Sequence, residues 1–184
     1  MTLEEGKRKV AELLDEYGGG ELDEELEERL PDLFDIAQKR LASVKRILRC
    51  APLEREAGRW ECPLPEDCMS LYRVWRNGRI CNLRYRLRGN TLLVPPEENA
   101  EIEVEYFAMP RTVNGDTPDE YEFEIAEDAA QCMPFFVAAE TLSADVMQDG
   151  RLLLSLYEGM VNDLDTALPG AAGRVANTLY QGGR

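Results

Sequence analysis

The residues of this chain with the clearest chemical potential are the carboxylates between Glu21 and Asp35. Eight acidic side chains stand there against Arg29 alone: Glu21, Asp23, Glu24, Glu25, Glu27, Glu28, Asp32 and Asp35. Paired carboxylates can act as general acid and base, and a dense acidic surface can repel or imitate the phosphates of a nucleic acid. Because an acidic composition produces carboxylate pairs by chance, the spacing alone does not indicate an active site.

Other catalytic chemistry is sparse in the sequence. The chain has no histidine, which removes the commonest general base and excludes a Cys/His zinc site. It contains no serine-hydrolase elbow, zinc-protease, dinucleotide-binding or phosphate-loop pattern. The carboxylates of residues 109–121 lack the order of a calcium loop. We therefore predict no catalytic residue, no metal and no cofactor, and a protein that is not an enzyme.

The cysteines and the charge narrow the class of protein further. Cysteines occur at five positions without a CxxC pair: Cys50, Cys62, Cys68, Cys81 and Cys132. An odd count argues against a disulfide scaffold and favours buried thiols. The net charge of −15 disfavours a nucleic-acid clamp or an anionic membrane as partner. No apolar run approaches the ~20 residues that cross a bilayer, and the acidic start predicts an amphipathic helix and a cytosolic origin.

Two helices are predicted ahead of any strand. Thr2 and Glu5 form a capping box for a first helix that ends at three glycines, residues 18–20. After Pro31, which starts or kinks the next turn, a long helix is predicted over residues 31–49. Its apolar positions are Leu33, Phe34, Ala37, Leu41, Val44 and Leu48, and its basic second half carries Lys39, Arg40, Lys45, Arg46 and Arg49. This charge gradient has two interpretations. It complements the helix dipole, or the two ends of the helix face different partners.

A helical hairpin is predicted near the other end of the chain. Its arms run from residue 126 to 146 and from 151 to 168, with a turn at Asp149-Gly150 and a stop at Pro169-Gly170. The first arm carries its apolar stripe at Ala129, Met133, Phe136, Val137 and Leu142, and the second at Leu153, Leu156, Tyr157, Met160, Val161, Leu164 and Leu168. Two such stripes need further helices to bury them, and these lie at the opposite end of the sequence.

Between residues 51 and 110 the apolar period changes from 3.6 to 2, which predicts an antiparallel sheet. Strands are expected at 59–62, 70–76, 81–88, 91–94 and 100–108, with a hairpin at Asn77-Gly78. Arginines alternate with apolar residues along 81–88, and glutamates alternate along 100–108. We interpret the arginine row as a cross-strand ladder with the glutamates; the alternative is a DNA-binding surface.

The predicted fold is therefore α+β. Residues 1–50 and 124–168 form a helical bundle, residues 51–110 an inserted antiparallel β domain, and residues 111–123 a loop. Residues 169–184 form an extended C-terminal arm, whose contact residues are Arg174, Val175, Leu179, Tyr180 and Arg184. This Gly-rich arm is either a frayed tail or a segment that orders on a partner, because alone it cannot offset its ordering entropy.

Two stretches in this order resemble the head-to-tail adaptor (connector) proteins of tailed bacteriophages. The segment Pro63-Leu64-Pro65-Glu66-Asp67-Cys68-Met69-Ser70-Leu71-Tyr72-Arg73-Val74, with its Asn77-Gly78 turn, is similar to the "LPxDfxxlrrV…nG" opening of the adaptor β region. The segment 123–164 is similar to the adaptor helical hairpin "feI…a…lpyyvAaellx-D…Yeemv". The doubled aspartate that usually follows the first arm is represented here by Asp145 alone.

The resemblance implies a virion structural protein in the neck of the particle, assembled in the host cytoplasm. It implies a homo-oligomeric ring, of twelve copies, that docks under the portal protein and offers an attachment site to a downstream tail or nozzle protein. Double-stranded DNA would pass through the ring without specific binding. The arm would reach the portal or a neighbouring copy, and the carboxylates expected to line the channel are Glu24, Glu25, Glu27, Glu28 and Asp32.

Two other functions are compatible with parts of the sequence. An acidic DNA-mimicking inhibitor of a DNA-binding protein would use the same carboxylates in place of phosphates. This hypothesis accounts for the charge but not for the β insert or the arm. The other hypothesis, a small acidic hydrolase, accounts for neither the β insert nor the arm.

Overall fold

The computed structural model describes residues 1–16, 24–55, 58–80, 85–95, 101–142 and 147–164. The fold is α+β, as predicted. The helices are α1 (Leu3–Glu16), α2 (Glu24–Val44), α3 (Glu127–Ala130), α4 (Met133–Thr141) and α5 (Met147–Asn162). The strands are β1 (Ile47–Pro52), β2 (Glu61–Pro63), β3 (Cys68–Arg76), β4 (Arg79–Ile80), β5 (Arg86–Arg88), β6 (Thr91–Leu93) and β7 (Ile102–Ala108).

Helix α1 begins with the capping box that the sequence predicts. The Thr2 amide donates to Glu5 Oε2 at 2.9 Å, and the Glu5 amide donates to Thr2 Oγ1 at 3.2 Å. Leu3, Val10 and Leu14 are buried along one face of the helix. The predicted end at the three glycines falls outside the described residues.

Helix α2 runs from Glu24 through Pro31, so the predicted helix start at this residue is wrong, while the alternative, a kink, stays a prediction. Pro31 removes the hydrogen bond to the carbonyl of Glu27, but Glu27 is exposed and water can satisfy that carbonyl. Leu30 and Phe34, on either side of Pro31, are fully buried and hold the helix against the core. The helix ends at Val44, and Leu48 lies in β1 rather than on a helical face.

The helical hairpin differs from its prediction at two points. The first arm is divided into α3 and α4, because Pro134 lacks an amide and begins a new helix near its first turn. Asp149-Gly150 is not the turn but lies in the first turn of α5. Asp149 complements the helix dipole there. Gly150 packs closely on α4, since a Cβ at this position would come within 3.4 Å of the Ala139 carbonyl oxygen.

The buried stripe of α5 is also narrower than predicted. Leu153 and Tyr157 are buried against α4, whereas Leu156 is 41% exposed. Met160, Val161 and Leu164 are half-buried at the edge of the core. The prediction that Leu156 belongs to the core is therefore wrong for this chain on its own.

The β region forms two antiparallel sheets rather than one. The larger sheet has the order β1-β7-β3-β4, and the smaller has the order β2-β6-β5. Asn77 and Gly78 adopt positive φ angles of 49° and 72°, which confirms the predicted hairpin between β3 and β4. The alternation of β7 is confirmed as well, because Ile102, Val104 and Tyr106 are buried.

The predicted ladder between residues 81–88 and 100–108 is wrong in its partners. Strand β5 pairs with β6 in the smaller sheet, so Arg86 and Arg88 do not face β7. The cross-strand partner of Glu105 is Arg73 of β3, at 3.6 Å. Tyr85 and Leu87, predicted on an apolar face, are both exposed; Cys81, Leu83 and Arg84 lie outside the described residues.

The loop 111–123, which leads into α3, packs against α1 and α2 from the other end of the chain. The amides of Leu3 and Glu4 donate to the carbonyls of Tyr121 and Asp119 at 2.9 and 3.0 Å. Phe123 contacts Phe34 with a ring-centroid distance of 5.4 Å. The loop therefore supplies part of the helical core, and a second apolar cluster lies between the two sheets.

Candidate functional site

The carboxylates predicted to line a channel are exposed at the start of α2. Glu25, Glu28 and Asp32 recur at intervals of three and four residues, so they share one face of the helix, and Glu24 lies one turn from Glu28. Among the described residues, none of these four is in an ion pair. The α2 carboxylate face, as we call these four residues, therefore presents unneutralised negative charge to solvent.

Glu27 lies on a different face of α2. It borders a cleft of about 720 Å³ between α1 and α2, which Glu4, Glu5 and Asp119 also line. Lys7 and Arg8 lie in the same cleft, and Lys7 pairs with Asp119 at 2.6 Å. The structure therefore separates Glu27 from the other four predicted residues and places it beside two carboxylates of α1, Glu4 and the capping-box residue Glu5.

The basic second half of the predicted helix is bound within the chain. Lys39 pairs with Asp35 at 2.6 Å and Lys45 with Asp128 at 2.9 Å. The hydrogen bond from Lys45 holds the pKa of Asp128 below its usual value.

The arginines of this half also contact partners in the same chain. The guanidinium groups of Arg40 and Arg46 lie over the rings of Phe136 and Phe107, at 4.8 and 4.7 Å from the centroids. The carboxylates at the start of α2 therefore face solvent, whereas the cations between Lys39 and Arg46 contact side chains of the same chain.

An ionic cluster around Arg49 connects the sheets to the helices. Arg49 Nη1 lies 2.5 Å from Asp67 Oδ2, and Arg49 Nη2 lies 2.7 Å from Glu124 Oε2. Tyr106 donates to Asp67 Oδ1 at 3.1 Å, and the Arg111 amide donates to Glu124 Oε2 at 2.9 Å. Because every member has a partner inside the chain, this arrangement is structural. The sequence analysis missed it, since these residues are distant in sequence and share no local pattern.

The thiols within the described residues show no sign of activation. Cys62 and Cys132 are buried, and burial raises the pKa of each. Cys50 is exposed, but desolvation and the nearby Glu103 raise its pKa too, so its thiolate is scarce at neutral pH. Among the described residues no group of His, Cys, Asp or Glu is arranged to hold a metal ion. No helix in the described ranges is both long and apolar enough to span a bilayer.

The predicted arm lies outside the described residues. Arg174, Val175, Leu179, Tyr180 and Arg184 all fall in the segment 165–184, so their role stays a prediction. Comparison with models of known families finds no match to this chain, and comparison with curated proteins finds no match either.

Proposed function

We propose that the protein is a head-to-tail adaptor of a tailed bacteriophage. In this proposal it forms a ring beneath the portal protein, extends an acidic DNA channel with the α2 carboxylate face, and provides the attachment site of the tail. The observation that carries the proposal is the contrast along α2. Glu24, Glu25, Glu28 and Asp32 are exposed and unpaired among the described residues, whereas Lys39, Arg40 and Lys45 contact partners in the same chain.

This charge arrangement suits a conduit for DNA. A basic lumen would hold phosphates through counterion release, whereas an acidic wall lets the duplex slide past. The α+β fold, with helices from both ends of the chain and an antiparallel β insert, has the order of elements on which the resemblance to adaptors rests.

Charge reversal on α2 tests the channel role. The variant E24K/E25K/E28K/D32K, which reverses the whole α2 carboxylate face, should assemble into rings and particles, because these side chains are exposed, but its genome ejection should be slowed or incomplete. The readout is DNA release from purified particles after a trigger. A matched control, E61K/E103K/E140K/E158K, changes the net charge equally at exposed positions elsewhere, and it should eject normally.

The outcome of the reversal separates this proposal from its alternative. Particles of the α2 variant that eject at the normal rate would exclude a channel role for these carboxylates. If the protein is instead a DNA-mimicking inhibitor, the same variant should lose binding to a basic DNA-binding partner. The spacing of Glu25, Glu28 and Asp32 on one face favours that alternative, since it sets carboxylates in a regular row.

Removal of the arm tests the proposed contact with the portal. Deletion of residues 171–184 should leave the melting temperature almost unchanged and prevent stable attachment to portal rings, measured by co-sedimentation. Alanine at Leu179 and Tyr180 should weaken attachment in the full-length chain, whereas alanine at Asn177 and Gln181 should not. A truncated chain that attaches as tightly as the full one would exclude the arm from portal binding.

A further inference from the structure

A partly apolar groove is lined by residues of α1, of the segment 131–135 and of α5. Its apolar lining consists of Leu13, Pro134, Phe135 and Met160, and its volume is about 330 Å³. Pro134 is buried, and the other three side chains are half-buried. The groove therefore offers apolar surface that the described part of the chain leaves incompletely covered.

The apolar surface continues along α5. Leu152 and Leu156 precede Met160 at intervals of four residues, so the three residues lie on the same side of the helix. They are 41% and 48% exposed. An occupant of the groove can thus bury side chains along two or more turns of α5.

The end of the groove rim beside the C-terminus of α1 attracts positive charge. Glu12, Glu16 and Lys9 line the rim. Glu12 pairs with Arg8 at 3.7 Å, and Lys9 is bound to the neutral side chain of Gln131, so among the described residues Glu16 is the rim carboxylate without an ion pair. The last turn of α1 contains no basic residue, so the partial negative charge of its terminal carbonyls adds to that of Glu16. The rim therefore favours an apolar segment that carries cations and no carboxylate side chains.

A segment of the chain itself has this composition. Residues 170–184 contain the apolar Val175, Leu179 and Tyr180, the cations Arg174 and Arg184, and no aspartate or glutamate. The described part of the chain ends at Leu164, about one turn beyond Met160 in the groove. Twenty residues span up to roughly 60–70 Å when extended, so reach does not limit docking.

We propose that residues 170–184 dock in the groove of their own chain. Leu179 and Tyr180 cover Phe135 and Met160, and the arginines lie near Glu12 and Glu16. Tethering favours the chain's own segment, because a short linker gives an effective concentration of order millimolar and weak contacts then suffice. The proposal concerns the free protomer and does not depend on the portal; where a portal binds the segment, it competes with the groove.

The methionine methyl groups report occupancy of the groove. We expect the Met160 ¹³C-methyl resonance to differ between the full chain and a chain ending at Pro169, while those of Met69 and Met109 stay the same. A synthetic peptide of residues 170–184 should move the Met160 resonance of the shortened chain toward its full-chain position. Identical Met160 resonances in the full and shortened chains would overturn the proposal, whether or not the segment binds a portal.

Two further comparisons test the charges and the choice of occupant. Reversal of the rim by E12K/E16K should weaken peptide binding about tenfold, whereas the matched control E140K/E158K, away from the groove, should leave it unchanged. Equal binding by both variants would contradict the assignment of the arginines to this rim. The Met160 position of the full chain should not change on dilution. A shift toward the shortened-chain position would mean that another copy supplies the segment, which would overturn docking within one chain.

Discussion

Replacement of Phe136 by alanine should reduce the free energy of unfolding by about 3–5 kcal/mol, as large-to-small changes in well-packed cores do. Phe136 is 3% exposed at the centre of the helical bundle. Its ring lies 5.4 Å from that of Tyr157 on α5, and the Arg40 guanidinium lies 4.8 Å above it. The substitution therefore leaves a cavity between three helices that cannot collapse without moving all of them.

Leu156 provides the matched control on the adjoining helix. Its side chain is 41% exposed, so Leu156→Ala should lower the free energy of unfolding by less than about 1 kcal/mol. Urea titration of the two variants measures both losses. Equal losses at the two positions would mean that the buried face of α5 is drawn wrongly. A loss below about 0.5 kcal/mol for Phe136→Ala would exclude the bundle as the core of the fold.

Gln38→Leu should lower the free energy of unfolding by about 1–3 kcal/mol, because it leaves two partly buried backbone groups without their partner. The Gln38 side chain is fully buried. Its Nε2 donates to the Arg111 carbonyl at 3.0 Å, and its Oε1 accepts from the Glu124 amide at 3.1 Å. One amide side chain thus holds both ends of the loop 111–123 against α2, and a leucine of similar size cannot satisfy either group.

The same substitution at Gln131 separates this effect from a general loss of amide groups. The Gln131 side chain is half-buried and hydrogen-bonds to the side chains of Lys9 and Glu127, so Gln131→Leu should cost less than about 1 kcal/mol. Hydrogen exchange gives a second measurement: the Glu124 amide should exchange faster in Gln38→Leu and normally in Gln131→Leu. Unchanged exchange at Glu124 would show that the loop does not depend on Gln38.

Features that depend on residues close in sequence are predicted correctly. The Thr2–Glu5 box, the Asn77-Gly78 hairpin and the alternation of 102–106 were all predicted from sequence and are confirmed. Each depends on residues that are close in sequence, so composition and spacing determine it. The change of apolar period from 3.6 to 2 over residues 51–110 predicts the α+β fold class, which is also confirmed.

Signals that depend on distant residues were predicted less well. Pro31 and Asp149-Gly150 are breakers by local rules, yet helices pass through both. Buried neighbours hold α2 at Pro31, and Gly150 lies in contact with α4. Strand pairing likewise follows tertiary contacts, which place Arg73 rather than Arg86 or Arg88 opposite Glu105 of β7.

The charge of α2 shows the same division most directly. The sequence alone determines that acidic residues are concentrated in 21–35 and basic residues in 39–49, because the order of residues is enough to state it. Only the tertiary structure decides which of these charges remain available. Lys39 pairs with Asp35 within α2. Arg40, Lys45 and Arg46 meet a carboxylate and aromatic rings brought from residues 107–136, whereas the α2 carboxylate face meets no cation among the described residues. Neutralisation acts over a few ångströms, so it depends on neighbours that folding brings together and that sequence spacing does not reveal.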